Sequence, residues 1–123
     1  MLIAVTCDEK SLEAPVARRF GKARYIFVAD PDSRVVRIID NSAHADLHLG
    51  AGARTAEMLA RFGVSWVATG EIGEESYQIL EGSGVKVVSH ATGSCREILD
   101  RVAAGGLQAT SGPGPGTRCE PED

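Results

Sequence analysis

The chain has no apolar run of membrane-spanning length, no excess of basic charge and no closely spaced cysteine pair, and each absence narrows what it can do. A helix that crosses a bilayer needs about 20 consecutive apolar residues, so no membrane segment is expected. With 13 basic against 17 acidic residues the formal charge is -4. Phosphate backbones and anionic membranes select a positive excess, so neither nucleic acid nor a membrane surface is an expected partner. Three cysteines, Cys7, Cys95 and Cys119, are odd in number and widely spaced. That is not a disulfide framework, and without a Cys-x-x-Cys pair a self-contained zinc finger is excluded. A reducing compartment fits this usage. The start MLIAVTCDEK lacks a basic n-region and a cleavage-site pattern, so a cytoplasmic location is expected. No Gly-x-Ser-x-Gly elbow, phosphate-loop lysine motif or Gly-x-Gly-x-x-Gly fingerprint is present. With no recognisable nucleophile–base pair, a non-enzymatic role is the expectation.

What is present reads as one domain with strands and helices in alternation. Its 123 residues suffice for a single hydrophobic core. Leu2 to Thr6 is a short β-branched apolar run, as a strand covered on both faces should be. Tyr25 to Asp30 and Arg34 to Ile39 flank Pro31-Asp32-Ser33, so they form a hairpin. The second of these carries Arg34 and Arg37, as an edge strand often does. Ala51 to Phe62 is an amphipathic helix ending at Gly63, and Glu74 to Leu80 is a shorter one. Val64 to Thr69 and Val85 to Ser89 are strands, and Ser94 to Ala104 is a last helix with Ile98, Leu99 and Val102 inward. Right-handed crossovers then give a three-layer α/β/α sandwich on a five-stranded mixed sheet of order 3-2-1-4-5. The domain spans 1–104. From Gly105 the chain is rich in Gly and Pro and poor in apolar residues, which predicts a flexible tail over 105–123.

The chemistry-bearing residues gather at the carboxyl ends of the predicted strands, where sheets of this type bind ligands. In Asn41 to Gly52 (NSAHADLHLGAG), His44 and His48 precede a Gly-Ala-Gly helix entry. Glycines let backbone approach a ligand, and the free N–H groups and positive dipole end of a helix favour an anion. Two loop histidines are equally compatible with local hydrogen bonding alone. Gly70 and Gly73 flank the turn after the fourth strand, where they either expose N–H groups to an anion or serve a tight turn. His90 follows the fifth strand. Ser94 and Glu97 form a capping-box pattern that places Cys95 at the first helical position, where either the dipole lowers its thiol pKa or a small residue is simply tolerated in the first turn. Cys7 reads as a buried packing residue. The cluster Arg18, Arg19, Lys22 and Arg24 is either a solvated face or a guide for a small anion.

Taken together, IAVTCD, PVARRFGKARYIFVAD, the Asn41–Gly52 loop, VATGEIG and GVKVV resemble the dinitrogenase iron-molybdenum cofactor biosynthesis family. The resemblance runs from Met1 to about Ala104, and its most specific pieces are Arg19-Phe20-Gly21, Gly50-Ala51-Gly52 and Gly70-x-Ile72-Gly73. It implies a nitrogenase-accessory-factor-like, ribonuclease-H-like domain. It also implies a role in binding, storing or transferring an anionic metal-sulfur cluster, iron-sulfur or molybdenum-copper/iron sulfide, between donor and acceptor proteins. The related orange protein of sulfate reducers holds a molybdenum-copper sulfide cluster. Arg19, Gly50, Gly52 and Gly70 are then the expected cofactor-binding residues, and His44, His48, His90 and Cys95 the expected metal ligands, in a monomer or weak homodimer. Family members often carry a histidine directly before Gly-Ala-Gly, whereas here Leu49 stands between His48 and Gly50. The alternative reading is a small-anion or nucleotide-binding regulatory module, in which the Gly-Ala-Gly entry takes phosphate.

Overall fold

A computed structural model describes residues 1–110. Five strands, β1 (Ile3–Cys7), β2 (Tyr25–Asp30), β3 (Val35–Asp40), β4 (Trp66–Ala68) and β5 (Lys86–Val88), form one sheet of order β3-β2-β1-β4-β5. Four helices accompany it: a single turn α1 (Ser42–Ala45), then α2 (Ala51–Phe62), α3 (Glu74–Gly82) and α4 (Cys95–Ala103). A 3-10 turn at Phe20–Lys22 interrupts the long connection between β1 and β2. β1 pairs antiparallel with β2 and parallel with β4, and β4 pairs parallel with β5. The mixed α/β sheet expected from the sequence is the sheet observed.

The uninterrupted burial of β1 follows from its place at the centre, where helices cover both faces. Alternation divides its side chains between two cores. Ile3, Val5 and Cys7 pack with Phe27, Ala68 and the inward stripe of α4, Cys95, Ile98, Leu99 and Val102. Ala4 packs on the other side with Phe20, Ile26, Leu59, Val67 and Leu80, beneath α2 and α3. α2 ends at Gly63, whose φ of 90 and bonds back to Leu59 and Ala60 make the left-handed stop foreseen for that glycine. β3 is an edge strand, and Val35, Val36 and Ile38 stay largely exposed on it.

Two expectations change in the structure. The histidine loop contains α1, a turn too short to show an apolar stripe in sequence. The stretch 105–110, expected to be mobile, is anchored at both ends: Gly105 and Gly106 bond back to the last turn of α4, and Thr110 bonds to β5. Thr110 N–H donates to Val87 O at 2.7 Å, its carbonyl accepts from the Tyr77 hydroxyl at 3.2 Å, and Ser89 N–H donates to its Oγ1 at 2.9 Å. Unpaired groups at the sheet edge outweigh local composition there. The remainder of the expected flexible tail, 111–123, lies outside the described residues.

Candidate functional site

β1 and β4 run parallel with their carboxyl ends side by side, and the chain leaves them in different directions. Below this point Thr6 and Thr69, both fully buried, satisfy each other through a 2.7 Å hydroxyl contact. Above it, the segment 17–20 lies across the sheet end. Gly70 N–H donates to Ala17 O, Glu71 N–H to Arg18 O, and Phe20 N–H to Glu71 O. This crossing segment divides the edge into two concavities.

The larger is a groove of about 660 Å³ between the 3-10 turn, the entry of α2 and the entry of α3. Its shape depends on a close backbone approach: a Cβ on Gly21 would lie 2.6 Å from Gly52 N, and a Cβ on Gly52 would lie 2.3 Å from Ser76 Oγ. The Arg-Phe-Gly and Gly-Ala-Gly motifs, remote in sequence, thus need glycine because they touch. Gly50 has a separate reason, a left-handed φ of 79 at the N-cap of α2. Neither α2 nor α3 has a side-chain cap, whereas α4, away from the groove, is closed by a complete capping box of Ser94 and Glu97. The first-turn N–H groups of a helix have no intrahelical acceptor, so an uncapped entry at a groove is a set of donors for a ligand.

The charge around the groove is mixed. Arg19, Lys22 and His48 line it together with Glu71, Glu74 and Glu75. The last two sit in the first turn of α3 and offset its positive end, whereas α2 has no acidic residue in its first turn. The entry of α2 is therefore the more electropositive wall. Arg19 makes no ion pair among the described residues, so its charge remains available. Lys22 is partly committed: its Nζ donates to Leu47 O at 3.1 Å and Ala45 O at 3.4 Å, fastening the histidine loop beside the groove.

The smaller concavity, about 360 Å³, holds Arg18, Gly70 and His90 on the other side of the crossing segment, and Glu71 borders both. His90 adopts a left-handed φ of 58 while its N–H donates to Gly70 O at 2.8 Å. Of the residues expected to form one site, Arg19, His48, Gly50 and Gly52 share the groove, whereas Gly70 and His90 share the neighbouring pocket. His44 lines neither. Its Nδ1 pairs with Asn41 Oδ1 at 3.1 Å, and fully buried Asn41 donates to Ala23 O and Thr55 Oγ1. The histidine closes a structural network. Among the described residues, no three His, Cys, Asp or Glu side chains converge to hold a metal ion.

Cys95 does occupy the first position of α4, but the dipole does not decide its chemistry. The side chain is fully buried in the core beside Cys7, and its thiol contacts Thr6 O at 3.8 Å. Desolvation, followed by the hydrogen bond with Cys7, pushes the thiol pKa up rather than down. The expectation of an activated, accessible thiol is corrected. Cys7 is buried as expected. Ser76 was not legible as a site residue: nothing local marks a serine in a first turn, and its place on the groove floor arises from contact with α2.

The glycine-built groove lies within a stretch that matches one family model over residues 1–105, described as dinitrogenase iron-molybdenum cofactor. The chain belongs to that family. It is similar to the apo form of the orange protein from Desulfovibrio gigas, at 31% identity and TM-score 0.87, covering 93% of this chain and 96% of that one. It is also similar to a candidate NifB protein from Thermotoga, at 29% identity and TM-score 0.73, covering 88% and 91%. An uncharacterized protein of Methanocaldococcus jannaschii is 27% identical over 108 residues, 88% of this chain and 90% of that one. The family and these neighbours point to metallocluster biosynthesis related to the iron-molybdenum cofactor. No helix among the described residues is long and apolar enough to cross a membrane.

Proposed function

We propose that this member of the family is a non-catalytic carrier that binds an anionic metal-sulfur cluster, holds it, and passes it from a donor to an acceptor protein in the cytoplasm. The cargo class is iron-sulfur or molybdenum-containing sulfide. The observation that carries this reading is the groove itself, lined by the uncapped entry of α2 and by Arg19, which makes no ion pair among the described residues. A cluster with diffuse negative charge suits such a wall, because N–H groups and a guanidinium stabilise it without a full set of covalent ligands. His48, exposed on the rim, supplies an imidazole of the kind that copper or iron accepts. Buried Cys95 is not part of this proposed ligand set. The ribonuclease-H-like assignment of the sheet and a monomeric or weakly dimeric state belong to the same reading.

Oxygen-free purification, followed by metal analysis and an ultraviolet-visible spectrum before and after incubation, tests the proposal. One incubation supplies iron and sulfide, and the other tetrathiomolybdate and copper. Charge-transfer bands with stoichiometric metal, lost in Arg19→Ala, are the expected result. A colourless, metal-free protein after both incubations would overturn it and favour a small-anion module.

A further inference from the structure

On the floor of the groove, between the entries of α2 and α3, lies the hydroxyl of Ser76. The residue is only 6% exposed, and the hydroxyl has no hydrogen-bond partner among the described residues. Buried hydroxyls are ordinarily paired. Thr55 Oγ1 donates to Ala51 O at 2.8 Å, and Thr6 pairs with Thr69. Ser83, at the far end of α3, donates to Ile79 O at 2.9 Å. Ser76, in the first turn of α3, has no helical carbonyl four residues before it, because Ile72 precedes the extended N-cap Gly73. Its Oγ instead lies against Gly52, where a Cβ would come within 2.3 Å. An unpaired buried hydroxyl costs stability, so its persistence here calls for an occupant.

The geometry points to a subsite for a tetrahedral oxo- or thio-anion, the class of molybdate, tetrathiomolybdate and phosphate, with Ser76 donating a hydrogen bond to one of its acceptor atoms. The N–H groups at the entry of α2 and the Arg19 guanidinium supply the remaining complement. Such an anion presents several acceptors at short spacing, which matches a hydroxyl and a helix N-terminus in one recess. Glu71, Glu74 and Glu75 also line the groove and weigh against higher charge on the anion, and occupancy falls as ionic strength rises because Arg19 is screened. This inference deepens the carrier reading and rests on it for the groove's preference for anions.

Calorimetric titration of the full chain with sodium molybdate, with tetrathiomolybdate and with inorganic phosphate tests it, the ranking separating oxo from thio ligands. Saturable one-to-one binding of at least one anion is expected, weakened about tenfold or more in Ser76→Ala, as for loss of one hydrogen bond to a charged group. The ligand-free variant should unfold at the same temperature as the native chain or higher. Absence of saturable binding with all three anions, or equal affinity in Ser76→Ala, would overturn the inference. A lowered midpoint in the ligand-free variant would overturn it too, because the hydroxyl would then have a structural role. Cluster loading separates the two proposals: unchanged anion affinity and loading in Ser76→Ala sinks the subsite alone, whereas Ser76-dependent anion binding without any cluster uptake sinks the carrier alone.

Discussion

Replacing Gly70 by alanine should destabilise the fold severely, and the size of the effect can be worked from the crossing of the 17–20 segment over the sheet. A Cβ there would lie 2.4 Å from Arg18 O and 2.6 Å from Ala17 O, both backbone atoms that no rotamer change can move aside. The segment has to lift. Lifting stretches the bonds from Gly70 N–H to Ala17 O and from Glu71 N–H to Arg18 O, now 3.0 and 2.6 Å. It also loosens Phe20, which is 1% exposed in the core under α2. Overpacking typically costs about 1–3 kcal/mol and each lost hydrogen bond about 1 kcal/mol, so with partial relaxation the expected total is about 2–4 kcal/mol. For a chain of this size that lowers the thermal midpoint by roughly 10–20 °C. Thermal unfolding followed by far-ultraviolet circular dichroism measures it, with Gly82→Ala as the control. Gly82 is the last residue of α3 and has nothing within 4 Å of its missing Cβ, so that variant should gain about 0.5–1 kcal/mol from helix propensity. A fall of less than about 3 °C in Gly70→Ala would refute the packing argument and return this glycine to direct ligand contact as its reason.

Three further outcomes follow from the site and its surroundings. His48→Ala should reduce cluster uptake, whereas His44→Ala should leave uptake intact and lower stability by about 1 kcal/mol through loss of the Asn41 contact, measured by metal stoichiometry and urea unfolding. The carboxyl of Glu97 is held below its ordinary value of 4.5 by the backbone and side chain of Ser94. A depressed folded pKa gives stability that is complete above the unfolded value and lost as pH falls through the folded one; acid titration of the midpoint should therefore show a loss below about pH 4.5 that shrinks in Glu97→Gln. In a Cys119→Ser background, Cys7 and Cys95 should resist iodoacetamide at pH 8 in the native state and react once denatured, because burial keeps Cys95 protonated; rapid native-state labelling of either would contradict their burial.

Much of the fold was legible because local periodicity and turn chemistry point to one sheet. The apolar run at β1, the Pro31-Asp32-Ser33 turn and the glycine stop at Gly63 carry the element order, and right-handed crossover then leaves few strand orders. Cys95 was also legible in principle, since it stands three, four and seven residues before Ile98, Leu99 and Val102 and so shares their buried stripe. Its position at a helix entry drew attention from that spacing.

The sequence by itself determined the five strands, the three longer helices and their order, because those depend on residues within a few turns of one another. Only the tertiary structure decided which chemistry meets. It set His48 on the groove, separated Arg18 from Arg19 across one extended segment, and brought Gly21, Gly52 and Ser76 into contact. Those placements come from backbone approaches between segments tens of residues apart, and no local spacing encodes them.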